Sequence, residues 1–213
     1  IDTSADLEWL RDYQFDALCA VAEKASGVLW LPTGSGKTEI AVGLTKMFPC
    51  KWLLLVHRGV LVDQAAGRYK LRTGQRANVV KGGRVYGTSN LTCATFQTVW
   101  RHRKKPAIQA LLGTVEGLLI DEAHTVAART FLRTAMETTN AYYRVGLSAT
   151  PLARTDQRAS LVVAATGPTI YKLEPSELVK RGVLAKPAIR VVSCVHMDKF
   201  RGDRSDWNAL YDH

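Results

Sequence analysis

The segment Leu31-Pro32-Thr33-Gly34-Ser35-Gly36-Lys37-Thr38 restricts this chain more than any other, because it joins a short apolar run to a helical pattern through two glycines and a lysine. Val28 to Leu31 reads as a buried strand and Lys37 to Met47 as the helix that follows. Glycines at 34 and 36 let the backbone turn so that successive N–H groups face inward as an anion nest, and the helix N-terminus adds partial positive charge. Thr33 to Thr38 then cradle phosphates: Lys37 reaches the β- and γ-phosphates of a nucleotide, and the Thr38 hydroxyl ligates Mg²⁺. A plain glycine-rich turn would need neither the lysine nor the hydroxyl. The strict G-x-x-x-x-G-K-[ST] pattern has Gly at its first position, where this chain has Leu31.

Further short apolar runs at Trp52 to Val56, Leu91 to Thr95, Leu118 to Ile120 and Arg144 to Leu147 read as buried strands. Helical patterns lie between them at Val60 to Tyr69 and Thr125 to Thr138, and an amphipathic stretch from Asp6 to Ala25 precedes them all. Strands alternating with helices predict an α/β fold of the P-loop NTPase kind, a mostly parallel sheet with helices on both faces. The 213 residues suit one domain with a small appendage, and past Pro151 the pattern becomes irregular. Four cysteines lie far apart with no C-x-x-C pair, which suggests reduced thiols rather than a zinc ribbon or a secreted disulfide framework. No run approaches the roughly 20 apolar residues of a membrane span, and no signal pattern opens the chain, so a cytoplasmic, or in a eukaryote nuclear, location is expected.

Gly117-Leu118-Leu119-Ile120 runs into Asp121-Glu122-Ala123-His124, a buried strand ending in two adjacent carboxylates. A nucleotide-hydrolysing site needs them there. Asp121 at the strand end can hold the Mg²⁺ shell, while Glu122, on the other side of the bond, can orient and deprotonate the attacking water. Alone, such a pair more often opens a helix.

With Gly146-Leu147-Ser148-Ala149-Thr150-Pro151 following, the chain resembles the first RecA-like motor domain of a superfamily 2 helicase with a DEAH motif. Within that superfamily, Gly167-Pro168-Thr169-Ile170-Tyr171 and the stretch from Leu178 to Pro187 are similar to repair helicases, phage recombination helicases and restriction translocases. The resemblance runs from Leu10-Arg11-Asp12-Tyr13-Gln14 through to a strand near Ile189. It implies ATP and Mg²⁺ as ligands, with Gln14 on the adenine edge and Arg11 or Tyr13 packing nearby. It also implies that Ser148 and Thr150 carry the γ-phosphate state through His124 to a nucleic-acid groove. Val56-His57-Arg58-Gly59 looks like the motif that offers Arg58 and a helix N-terminus to a strand's phosphates, and Thr95-Phe96-Gln97-Thr98 like the motif that adds Thr95 and Gln97 to the same strand.

The resemblance thus implies a helicase motor, with DNA favoured over RNA, and the formal charge of +10 fits a polyanionic partner. A duplex DNA translocase that separates no strands would carry the same motifs, and so would an ATP-gated clamp, although an intact Glu122 speaks for turnover. Residues 1–187 are expected to form the RecA-like domain and 188–213 the lead-in to a second one. That second domain would carry an arginine finger in a Q-x-x-G-R-x-x-R-like helix, and no such segment follows Pro187; Arg154, Arg158, Arg201 and Arg204 lack its context. The 213 residues alone are therefore expected to be nearly inactive. Two basic features have competing readings. Gly82-Gly83-Arg84 reads as a surface hairpin more readily than as part of the groove. The run Arg101-His102-Arg103-Lys104-Lys105 reads equally well as a solvated loop after a short helix or as a phosphate contact.

Overall fold

Alternate residues of the apolar runs face opposite ways, and this divides the interior in two. Trp52, Leu54 and Val56 join one buried cluster and Leu53 and Leu55 the other; Leu119 and its neighbours Leu118 and Ile120 are split in the same way. A strand buried on both faces must lie inside a sheet covered by helices on both sides. The computed structural model describes residues 6–121, 128–149 and 157–186 and shows such a sheet.

Its strands are β1 (Ser26–Trp30), β2 (Trp52–Val56), β3 (Asn78–Lys81), β4 (Arg84–Tyr86), β5 (Leu91–Thr95), β6 (Gly117–Asp121), β7 (Tyr143–Ser148) and β8 (Thr169–Lys172). They lie in the order β4-β3-β5-β2-β6-β7-β1-β8, all parallel except β4, which returns antiparallel on β3. Helices α1 (Asp12–Lys24), α2 (Lys37–Met47), α3 (Gly59–Thr73) and α8 (Pro175–Lys180) contribute to one cluster. Helices α4 (Phe96–His102), α5 (Pro106–Thr114), α6 (Ala128–Glu137) and α7 (Gln157–Thr166) contribute to the other. The expected α/β architecture with helices on both faces is present.

Two differences from the sequence reading have physical reasons. Helix α1 begins at Asp12, not near Asp6, because Leu7 and Leu10 reach the core from irregular chain. The tract after Pro151 holds α7, β8 and α8, short elements in which an edge strand with an exposed Thr169 and a helix of six residues leave no clear periodicity. The turn at Gly82–Gly83 is the hairpin between β3 and β4, as read, and Pro106 opens α5 directly after the basic run. Cys19, Cys50 and Cys93 are free thiols, and burial pushes Cys93 up to about 12. No described helix is long and apolar enough to cross a membrane.

Candidate nucleotide site and nucleic-acid face

Strand β1 ends at Trp30 and α2 starts at Lys37, which leaves residues 31–36 to turn the chain at the carboxyl edge of the sheet. Leu31 is fully buried, and its N–H donates to the Ser148 carbonyl at 2.8 Å. The departure from the strict motif is thereby explained: position 31 still belongs to the core, where a leucine side chain adds packing. The turning is done later, by Gly34 (φ 84°) and Gly36 (φ 81°), both left-handed. At Gly36 a side chain is also excluded by space, since an added Cβ would stand 2.4 Å from Gln14 Nε2.

Gln14 is buried and ties the loop to α1. Its Nε2 donates to the Ser35 carbonyl at 2.9 Å, the Tyr13 hydroxyl donates to the same oxygen at 3.1 Å, and Gln14 Oε1 accepts from the Arg11 N–H at 3.0 Å. An amide side chain has two N–H donors and two acceptor lone pairs, so one of each remains for a base edge. Arg11 caps α1 and reaches the Tyr13 hydroxyl at 3.3 Å. Beside it, the Tyr13 N–H and then the Arg181 guanidinium hold the Asp12 carboxylate below its usual range, which pins the end of α8 to the start of α1.

The Ser35 hydroxyl is buried and has no hydrogen-bond partner. A polar atom left in that state costs roughly 1–3 kcal/mol, and at the mouth of an anion nest a phosphate oxygen would satisfy it. Thr38 and Asp121 line one cavity of about 20 Å³ together with Gln64 and Leu147. Asp121 ends β6, in register with Leu147, and the fully buried Ser148 ends the intervening β7. One strand between β6 and β1 sets the acid and the loop two strand spacings apart, about 10 Å. A hydroxyl, a carboxylate, an orphaned serine and a left-handed glycine pair fit a nucleotide phosphate with its magnesium. Glu122, His124 and Thr150 lie outside the described residues.

The expected nucleic-acid contacts fall near one another without all meeting. Arg58 is exposed and precedes the first residue of α3; Thr95 caps α4, its hydroxyl accepting from the Thr98 N–H at 3.2 Å. Thr95, Thr98, Gly59, Asp63, Lys81 and Gly82 line a groove of about 330 Å³. Gln97 instead donates through Nε2 to the His57 carbonyl at 3.3 Å. One contributor escaped the sequence reading, and another stands there as a second alternative. Gln64 gave no signal, being one polar residue on an amphipathic helix. Gly82 did signal, as a Gly-Gly turn, but hairpin and groove wall prove to be the same feature.

A profile of the family described as "Type III restriction enzyme, res subunit" matches residues 8–153. Among curated proteins, the DNA 3'-5' translocase XPB2 of Sulfurisphaera tokodaii is 29% identical over 197 residues, covering 91% of this chain and 43% of that protein. The DNA 3'-5' helicase XPB of Kineococcus radiotolerans is 31% identical over 192 residues, 87% of this chain and 34% of the other. The chain spans less than half the length of these relatives. In solved structures the fold recurs in the UvsW helicase of bacteriophage T4 (TM-score 0.64, 20% identity, 75% of this chain and 58% of that one). It recurs also in the Hef helicase domain of Pyrococcus furiosus (TM-score 0.65, 24% identity, 83% and 40%).

Proposed function

Because the chain belongs to the type III restriction enzyme res-subunit family, within the superfamily 2 helicases, we propose that it is the ATP-binding half of an ATP-dependent DNA helicase. The observation that carries this reading is the meeting of Thr38 and Asp121 at one small cavity, beside a glycine nest whose buried Ser35 hydroxyl lacks a partner. Thr33 to Thr38 bind the phosphates and Lys37 neutralises their charge; Arg11 and Gln14 hold the adenine side. Thr38 and Asp121 would hold Mg²⁺, which when bound draws negative charge off the phosphate oxygens. Glu122 orients the attacking water and takes its proton. His124, Ser148 and Thr150 link that centre to the DNA face, where Arg58, Thr95 and Gln97 hold one strand. A second RecA-like domain closes the site from outside residues 1–187.

Lys37→Ala removes the lysine from the phosphate nest and should weaken ATP·Mg²⁺ binding at least tenfold, about 1.4 kcal/mol or more. Calorimetry that returned unchanged affinity would overturn the site. On the DNA side, Arg58→Ala is expected to weaken binding about equally on unrelated sequences and to lower the salt slope by about one, since one phosphate contact is lost. A changed sequence preference in a titration series would remove Arg58 from the strand's path. Similarity to the Sulfurisphaera protein, a DNA translocase, favours a second reading in which the motor moves along duplex without opening it. A strand-displacement assay on a protein that carries both motor halves separates the two.

A further inference from the structure

The five basic residues that close α4 and begin the turn to α5 divide by structural role. Arg103 folds back, its guanidinium donating to the Trp100 carbonyl at 2.9 Å and lying 3.8 Å over the Trp100 ring, with Glu137 4.0 Å away. Lys105 reaches across to the β3–β4 turn, where its Nζ donates to the Gly82 carbonyl at 2.9 Å. The adjacent Gly83 is buried against the same residues: a Cβ there would stand 2.7 Å from both His102 Cγ and Lys105 Cδ. The hairpin tip and the α4–α5 turn are therefore one packed body. Arg101 and Lys104 take no part in that packing and stand exposed.

On the hairpin itself, Lys81 and Arg84 are direct cross-strand partners, both exposed. Like charges directly opposite one another on a sheet destabilise it, and among the described residues none of Lys81, Arg84, Arg101 and Lys104 forms an ion pair with a carboxylate, although Asp63 lines the same groove as Lys81. Four cations thus share one anchored rim, at a cost to the free chain that an anion would relieve. Lys81 and Gly82 also line the groove that holds Thr95, Thr98 and Gly59, so the rim continues from that groove. Strand β4, which carries Arg84, lies two places out from β5, which carries Thr95, a lateral offset of about 10 Å. A single strand in the groove would not extend that far. The two backbones of a double helix are separated by grooves about 6 and 12 Å wide, a range within which the offset falls.

We propose that the β3–β4 hairpin and the α4–α5 turn form a phosphate ledge for the second strand of a DNA duplex whose first strand lies in the groove beside Thr95 and Thr98. The inference rests on the DNA reading of that groove. It gives this half of the motor a preference for duplex over single strand, set by Lys81, Arg84, Arg101 and Lys104.

The test compares the unaltered chain, Arg58→Ala, and the triple variant Arg84→Ala/Arg101→Ala/Lys104→Ala on a 20-base-pair duplex and on one of its strands, by fluorescence anisotropy over a range of salt. Lys105 stays, because it holds the hairpin. The triple variant should lose about tenfold or more in duplex affinity, with a slope of log affinity against log salt shallower by about three. Its single-strand affinity should change by less than about twofold, whereas Arg58→Ala weakens both substrates. Its melting temperature should hold or rise, since repulsion is relieved, so a duplex loss cannot be ascribed to unfolding. Equal losses on duplex and single strand, or an unchanged duplex affinity, would overturn the ledge while leaving the groove. Tighter binding of a polyglutamate probe than of duplex, abolished in the triple variant, would assign the rim to an acidic protein instead. If the unaltered chain bound neither DNA with any salt dependence, the DNA reading would fall and the ledge with it.

Discussion

ATP turnover by these 213 residues alone is expected to lie about 10³- to 10⁵-fold below that of the same residues joined to a second RecA-like half, with or without DNA. That is the range an arginine finger contributes in phosphoryl-transfer enzymes. Residues 64–68 do spell Q-x-x-G-R, but Arg68 and Arg72 are both engaged by the Glu39 carboxylate, each at 3.0 Å, and serve to join α3 to α2. The measurement is phosphate release by the chain, with nucleotide affinity followed in parallel. Binding without turnover is the expected result. Robust DNA-stimulated hydrolysis would contradict it and direct attention to Arg68, which lines a cleft with Thr38.

The second large effect separates binding from chemistry at one residue. In a protein with both motor halves, Glu122→Gln keeps the shape of the side chain and loses its base, so turnover should fall by roughly 10² or more. ATP affinity should stay within about twofold. Steady-state phosphate release and calorimetry on the same preparation decide it; equal losses in both would make Glu122 a structural residue.

Much of this was legible before any coordinates. Trp52–Val56, Leu91–Thr95 and Lys37–Met47 carry undiluted signals, continuous burial for the strands and a glycine-defined start for the helix, and their observed limits agree with the reading. Edge elements were harder. β3, β4 and β8 have three or four residues each and at least one exposed end, so alternation has no room to show. In the site, spacing alone brought out the phosphate loop and the strand-end acid. The anchoring of Ser35 by Tyr13 and Gln14 was not legible, because it joins positions more than twenty residues apart. Nor was the division of the basic run, since charge pattern records where cations occur and not which of them the fold consumes.

Helix α3 is fastened to the sheet along its middle by Val62, Ala65 and Tyr69, all buried. Its first residue, Gly59, borders the groove, and Gln64, about 7.5 Å further along the axis, borders the cavity of Thr38 and Asp121. One rod thus borders both sites, and a shift of α3 that altered the groove would alter the cavity as well, with no chain of side chains between them; collective helix shifts of that kind fall in the microsecond-to-millisecond range.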